Sequence, residues 1–198
     1  MRKILIAGCG YVGRTLATTL RDSGDDVWGL SRNPTDLPEG VVPIAADLRD
    51  PASLRALPEN LESVVFAAAP SGFDEAAYRS VYLDGLKNLL DVLANQDEPL
   101  RRLVMVSTTS VYGQEDGDWV DEDSRTEPQS FAGQTVLAAE DLLRSHRLPY
   151  TIVRLGGIYG PGRDRLLRMV QAGTAIRYEG AARYTNRNHR DDCAGVLQ

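Results

Sequence analysis

Short apolar runs alternate with amphipathic stretches along the whole chain. Ile4-Leu5-Ile6-Ala7, Val27-Trp28-Gly29-Leu30, residues 42–46, Ser63-Val64-Val65-Phe66-Ala67, Leu103-Val104-Met105-Val106 and residues 150–154 are such runs. Each is short and bounded by polar residues or glycine, the pattern of a strand buried on both faces. Between them the apolar residues fall at helical spacing over residues 14–21, 54–57, 74–95 and 134–145. The stretch 74–95 places Val81, Leu86, Leu89, Leu90 and Leu93 on one broad face, as a helix laid on a sheet requires. Strands alternating with helices predict an α/β fold, a doubly wound parallel sheet with helices on both faces. Ligands of such a sheet bind at the carboxyl ends of its strands.

The first apolar run passes directly into Gly8-Cys9-Gly10-Tyr11-Val12-Gly13 and then into the first helix. Strand, GxGxxG and helix in that order form a dinucleotide-binding turn. Gly8 permits the tight turn, Gly10 lets the backbone approach a pyrophosphate, and Gly13 lets the helix lie close to the strand. The helix N-terminus, with Tyr11 and Val12, offers free N–H groups and a dipole that favour the phosphates. Cys9 reads as a small side chain beneath those phosphates, with a thiolate stabilised by the helix end as the alternative.

The end of the second strand bears on which nucleotide is bound. An NAD site places an acid there for the ribose hydroxyls. Here the residues are Leu30-Ser31-Arg32-Asn33, with no acid. Ser31 supplies a hydroxyl and Arg32 a guanidinium fork for a 2′-phosphate, so NADP(H) is favoured over NAD(H); Arg32 as a mere loop cation is the alternative. Asp47 at the end of the third strand is placed to accept from the adenine amine while Leu48 packs on the ring. Ala67, Ala68 and Ala69, before Pro70, are small enough to let the cofactor lie against the backbone.

Composition narrows the classes. The chain has 198 residues, enough for one domain and the start of a second, and is 42% hydrophobic. A net charge of −6 gives no basic footprint for nucleic acid. No stretch is long and apolar enough to span a membrane, and the brief apolar start does not resemble a signal peptide, so a cytoplasmic protein is expected. Cys9 and Cys193 form no disulfide framework, and His146 and His189 stand far apart, so no metal site is expected. The acidic stretch 115–123 reads as solvated surface.

With these residues in view, the chain resembles the extended or atypical short-chain dehydrogenase/reductase superfamily, which holds sugar-nucleotide epimerases and dehydratases. It is most similar to the NAD(P)-dependent epimerase/dehydratase-like branch. The resemblance is carried by the glycine turn, Asp47-Leu48, Ser107-Thr108-Thr109-Ser110-Val111-Tyr112-Gly113 and Arg154-Leu155-Gly156-Gly157-Ile158-Tyr159-Gly160-Pro161-Gly162-Arg163. It implies a Rossmann domain over residues 1–160 and the beginning of a small C-terminal substrate region over 161–198. It also implies a small-molecule substrate, a nucleotide sugar or a carbonyl compound, and a homodimer through the helices 74–95 and 134–145.

The catalytic pattern departs from that family. Its usual hydroxyl falls on Thr108, which is retained. Its usual tyrosine falls on Ala132, its lysine on Val136 and its helper asparagine on Tyr82, so the usual proton relay has no tyrosine–lysine pair here. Three readings follow. In one, an NADP(H)-dependent oxidoreductase or epimerase-like enzyme keeps Thr108 to orient substrate and uses Tyr82 or Tyr112 as proton donor. In another, binding persists as a sensor or regulatory module without catalysis. In the third, the chain is an inactive dimeric scaffold. Tyr82 also fits a plain packing role, and Tyr112 and Tyr159, in matching VYG and IYG settings, fit turns with an aromatic anchor.

Beyond the sixth strand, residues 156–162 read as a loop, 162–170 as a helix and Ala175-Ile176-Arg177-Tyr178 as a strand. Asn188-His189-Arg190-Asp191-Asp192 precedes a late helix, Cys193-Ala194-Gly195-Val196-Leu197. An apolar helix start at the chain's end suggests an exposed face without a partner and a truncated chain. Arg154, Arg163, Arg165 and Arg168 are candidates for facing an anionic substrate, or else plain surface cations.

Overall fold

Strand β1 (Lys3–Ala7) sits in the middle of the sheet, and its side chains alternate between two apolar layers. Leu5 and Ala7 enter one layer, while Ile4 and Ile6 enter the other. The structure is a computed structural model that describes residues 1–96, 100–114, 117–176, 179–180 and 184–198. Around β1 lie β2 (Asp26–Ser31), β3 (Val42–Ala45), β4 (Ser63–Phe66), β5 (Arg102–Thr108) and β6 (Tyr150–Leu155), giving a six-stranded sheet of order β3-β2-β1-β4-β5-β6. Every neighbouring pair is parallel. The doubly wound sheet foreseen from the alternation is the fold observed, with the order reversing between β1 and β4, where the crevice opens.

Helix α1 (Tyr11–Asp22) buries Leu16, Ala17 and Leu20 against the Ile4/Ile6 layer. The opposite layer is covered by a long helical rod and by α4 (Phe131–Ser145). That rod begins as α2 (Glu75–Arg79), where the Asp74 carboxylate accepts the Ala77 N–H at 2.9 Å. It ends as α3 (Leu86–Leu93), which buries Leu86, Leu89, Leu90 and Leu93. Burying each such leucine contributes about 1.5–3 kcal/mol before chain entropy is counted. The helix expected over 74–95 is thus present, but Ser80–Gly85 between its halves is wound as a π-helix. An extra residue per turn leaves no trace in apolar spacing of this length, and the widened turn carries Tyr82 to the sheet's carboxyl edge.

The C-terminal part corrects three expectations. The loop expected at 156–162 contains β7 (Gly157–Tyr159), which pairs in parallel with β8 (Arg187–His189). Three-residue strands joined across thirty positions have no period to read. Ala175 and Ile176 lie outside any strand, and Arg177 and Tyr178 fall outside the described residues. The late helix α6 (Arg190–Val196) does have a partner, because Ala194 and Leu197 are buried in the layer beneath α1. By contrast α5 (Arg165–Gln171) leaves Leu166, Leu167 and Val170 exposed.

Candidate functional site

A cleft of roughly 530 Å³ opens at the carboxyl ends of β1, β2, β4 and β5. The glycine turn forms its floor. Gly8 has φ +95° and Gly8 and Cys9 both donate their N–H to the Leu30 carbonyl, at 3.0 and 2.9 Å. This clamps the turn onto β2 and presses it against β4. Gly10 faces the cleft, where an added Cβ would meet nothing nearer than the Gly8 carbonyl oxygen at 4.0 Å. That open space lies above a helix N-terminus, where free N–H groups favour an anion. Tyr11 and Val12 line the cleft too, whereas Gly13 lies beneath, with an added Cβ only 2.8 Å from the Gly8 carbonyl oxygen. Ala67, Ala68 and Ala69 form the adjoining wall at the end of β4.

Cys9 is buried, and burial pushes its thiol up to about 11 despite the nearby Arg14 guanidinium. At pH 8 roughly one thiol in a thousand is then ionised. Native protein at that pH is expected to resist iodoacetamide at Cys9, with modification appearing after denaturation; prompt native labelling would contradict the burial.

At one end of the cleft stand Ser31, Arg32, Asp47, Leu48 and Arg49. Leu48 is buried, and its carbonyl accepts the Asn88 side-chain amide at 2.9 Å. Asp47 is not a free acceptor, because Arg49 grips its carboxylate with Nε on Oδ1 at 2.9 Å and Nη2 on Oδ2 at 2.5 Å. That hydrogen bonding, stronger than the opposing effect of burial, holds the Asp47 carboxyl at about 2. Sequence reasoning passed over Arg49, although a basic residue two positions beyond an Asp in a turn was the available signal.

The other end holds Thr108 and Tyr82. Thr108 closes β5, and its Oγ1 accepts the Ser110 N–H at 3.2 Å, capping the turn Thr109–Val111. Its hydroxyl hydrogen remains available to a ligand. The Tyr82 ring lies 5.7 Å from Tyr78 and 6.5 Å from Phe66. Burial, reinforced by Tyr78, pushes its phenol up to about 12. Tyr82 therefore stays protonated across the physiological range and offers a hydrogen-bond donor but no base. Ala132 and Val136 are buried on α4, beside an aromatic group in which Phe73 and Phe131 stand 5.1 Å apart. Among the described residues lining the cleft there is no lysine, histidine or glutamate.

Tyr112 is not brought to the cleft. Its hydroxyl donates to the Asp121 carbonyl at 2.7 Å and accepts from Arg154 Nη1 at 3.0 Å. Arg154 in turn forks onto Glu140, Nε to Oε1 at 3.0 Å and Nη2 to Oε2 at 2.7 Å. Glu140 is fully buried and also receives the Ser107 hydroxyl at 2.6 Å and Arg144 at 2.8 Å. Burial alone would push the Glu140 carboxyl up, but the bonds from Arg154, Ser107 and Arg144 together hold it below the usual glutamate range. This network uses Arg154 internally, so it is not a substrate arginine. Two of its partners, Arg154 and Ser107, lie 14 and 33 positions from Glu140, beyond any local pattern; the third, Arg144, is four positions on.

Of the remaining arginines, Arg163 lines the cleft with its guanidinium carbon 4.3 Å from the Tyr11 ring centroid. Arg165 and Arg168 lie on the exposed α5, and Arg168 pairs with Asp164 at 3.0 Å. The described part of the acidic stretch, residues 117–123, is surface, while Glu115 and Asp116 fall outside the described residues. Among the described residues no group of three or more His, Cys, Asp or Glu is placed to hold a metal, and no helix is long and apolar enough to cross a membrane.

A parallel sheet of this order, with a glycine turn at its reversal point, defines a dinucleotide-binding class, and the chain belongs to the NAD dependent epimerase/dehydratase family, whose model matches residues 4–181. Protein YeeZ of Escherichia coli strain K12 is 34% identical over 178 residues, covering 82% of this chain and 61% of its own. The chain thus spans about three-fifths of the length of that relative. A solved structure from Methylobacillus flagellatus, described as an NAD-dependent epimerase/dehydratase, shares 39% identity with a TM-score of 0.82, over 99% of this chain and 68% of that one. MoeE5, solved with UDP-glucose and NAD, shares 27% identity with a TM-score of 0.79, over 98% of this chain and 70% of that one.

Proposed function

We propose that the chain binds NADP(H) and serves as an oxidoreductase or epimerase/dehydratase-like enzyme on a small molecule, a nucleotide sugar or another carbonyl compound. The observation that carries this is the union, in one cleft, of the glycine cradle, the Ser31/Arg32 pair and the Thr108/Tyr82 pair. The N–H groups at Tyr11 and Val12 hold the pyrophosphate, and Ser31 and Arg32 hold the 2′-phosphate. The small Ala67, Ala68 and Ala69 let the dinucleotide lie against the sheet edge. When bound, the nicotinamide supplies the hydride donor or acceptor. Thr108 donates a hydrogen bond to the substrate oxygen, and the Tyr82 phenol donates a second, which together orient the substrate. Tyr112, tied to Arg154 and Asp121, takes no part in this reading. Arg163 at the cleft rim suits an anionic substrate such as a nucleotide diphosphate.

A second reading is favoured by Ala132, Val136 and the raised Tyr82 phenol: a sensor that binds the dinucleotide and does not turn it over. NADPH oxidation by full-length protein with a panel of nucleotide sugars and simple carbonyls separates the two. Turnover that falls about tenfold or more in Tyr82→Phe and Thr108→Val supports the enzyme. Saturable NADPH binding without turnover of the panel supports the sensor. We assign Arg163 at the cleft, and α5 after it, to the substrate side, with β8 completing the small sheet begun by β7 and α6 returning to the layer beneath α1. The free thiols of Cys9 and Cys193 fit a reducing, cytoplasmic setting. The family resemblance adds a homodimer through the outer faces of α2–α3 and α4, and the net charge of −6 argues against nucleic acid as a partner.

A further inference from the structure

We infer that Arg163 clamps the pyrophosphate of the bound dinucleotide, held over the glycine turn by the ring of Tyr11. The inference rests on the dinucleotide reading above and deepens it, naming a charged ligand for the part of the cofactor that NADP(H) and NAD(H) share. Three arginines are among the described residues lining the cleft: Arg32, Arg49 and Arg163. Arg49 is taken up by Asp47, and Arg32 stands beside Ser31, just past the end of β2. Arg163 has no side-chain hydrogen bond or ion pair among the described residues, and its guanidinium carbon lies 4.3 Å from the centroid of the Tyr11 ring. Tyr11 is the first residue of α1, so it belongs to the turn whose N–H groups face the phosphates.

The backbone around Arg163 is shaped to rest on that ring. The Arg163 N–H donates to the Gly160 carbonyl at 2.8 Å, closing the turn 160–163. Gly160 has φ +143°, and an added Cβ would stand 3.0 Å from the Tyr11 hydroxyl oxygen and 3.1 Å from His189 Nε2. A glycine at this position lets the turn lie directly on Tyr11 and β8. The Tyr11 hydroxyl is buried without a hydrogen-bond partner among the described residues, so the residue acts through its ring. A ring face attracts a guanidinium and leaves its N–H groups for an acceptor. A second guanidinium, that of Arg190, lies 5.3 Å from the same ring centroid, but its Nε donates to Asp191 at 2.9 Å. Among the described residues Arg163 is thus the uncommitted positive charge over the turn. A pyrophosphate brings negative charge to neutral N–H donors there, and a planar fork meets two of its oxygens at once. A substrate anion is the competing claim on this guanidinium, and nucleotide affinities separate the two.

The test measures dissociation constants of NADPH and NADH for the full chain, Arg163→Ala, Arg163→Lys, Tyr11→Phe, Tyr11→Leu and the double variant Arg163→Ala/Tyr11→Leu. Arg163 is exposed, so its replacement should leave the urea midpoint unchanged. Arg163→Ala is expected to weaken both nucleotides about tenfold and to keep their ratio, because the pyrophosphate is common to them. Arg163→Lys should fall between, keeping the charge and losing the fork. Tyr11→Phe should bind as wild type does. Tyr11→Leu should lose nearly as much as Arg163→Ala, with the double variant no weaker than Arg163→Ala alone. Unchanged affinities in Arg163→Ala, or a loss confined to NADPH, overturn the clamp while dinucleotide binding stands. Fully additive losses in the double variant overturn the part played by Tyr11. Wild-type protein that binds neither nucleotide overturns the dinucleotide reading and the clamp with it.

Discussion

Replacing Gly8 with alanine is expected to cost about 3 kcal/mol or more of stability and to abolish dinucleotide binding. Two independent conflicts arise at this position. The backbone has φ +95°, a conformation that L side chains rarely adopt, and a new Cβ would sit 2.3 Å from both the Cα and N of Ala68. Those atoms belong to the segment leaving β4, which is paired to β1, so neither side can yield without opening the sheet. Gly10→Ala is the matched control. Its backbone φ is −95° and its Cβ would enter open cleft, so the fold should hold while dinucleotide affinity falls. Urea midpoints and nucleotide titrations on both variants check this; a stable, nucleotide-binding Gly8→Ala would show that the turn is not clamped as described.

Glu140→Gln is expected to destabilise the chain by about 3–5 kcal/mol, because it leaves the Arg154 guanidinium in the interior without its counter-charge. The Arg154 side chain is 13% exposed and Glu140 0%, so solvent relieves little of the loss. The same pair predicts a pH dependence. Glu140 is held below the usual glutamate range, so its contribution is fully present above the unfolded value, about 4.3, and is lost as pH falls through the lower folded value. Wild-type stability should therefore drop over that acid window, and Glu140→Gln should remove this group's part of the drop. The variant also frees Arg154 from its role as the Tyr112 anchor, so hydrogen exchange should quicken around Asp121, whose carbonyl Tyr112 holds. Equal acid sensitivity in the two proteins would assign the pH dependence to other groups.

The sheet and the glycine-turn end of the cleft were legible because both are written locally. A strand buried on two faces is a short apolar run, and β1, β2, β4 and β5 each appear as one. The glycine turn is legible for the same reason: its φ and its helix start are properties of adjacent residues, although its close approach to Ala68 is not. What escaped is non-local or too short. The Glu140–Arg154–Tyr112 network joins a helix, a strand and a loop through side chains alone, and it turned two candidate functional residues, Tyr112 and Arg154, into internal supports. The π-wound turn that presents Tyr82 changes the helical period over too few residues to register. The β7–β8 pair joins three-residue strands, and the burial of Ala194 and Leu197 under α1 depends on the chain returning to its own beginning. Arg49 was missed because its importance comes from the carboxylate it covers.

The most direct measurement is a calorimetric titration of NADPH and NADH into wild-type protein, with Arg32→Ala alongside. The account predicts one-to-one, saturable NADPH binding, tighter than NADH, and a loss of that advantage in Arg32→Ala. No binding of either nucleotide, or NADH binding that is tighter and indifferent to Arg32, would contradict it.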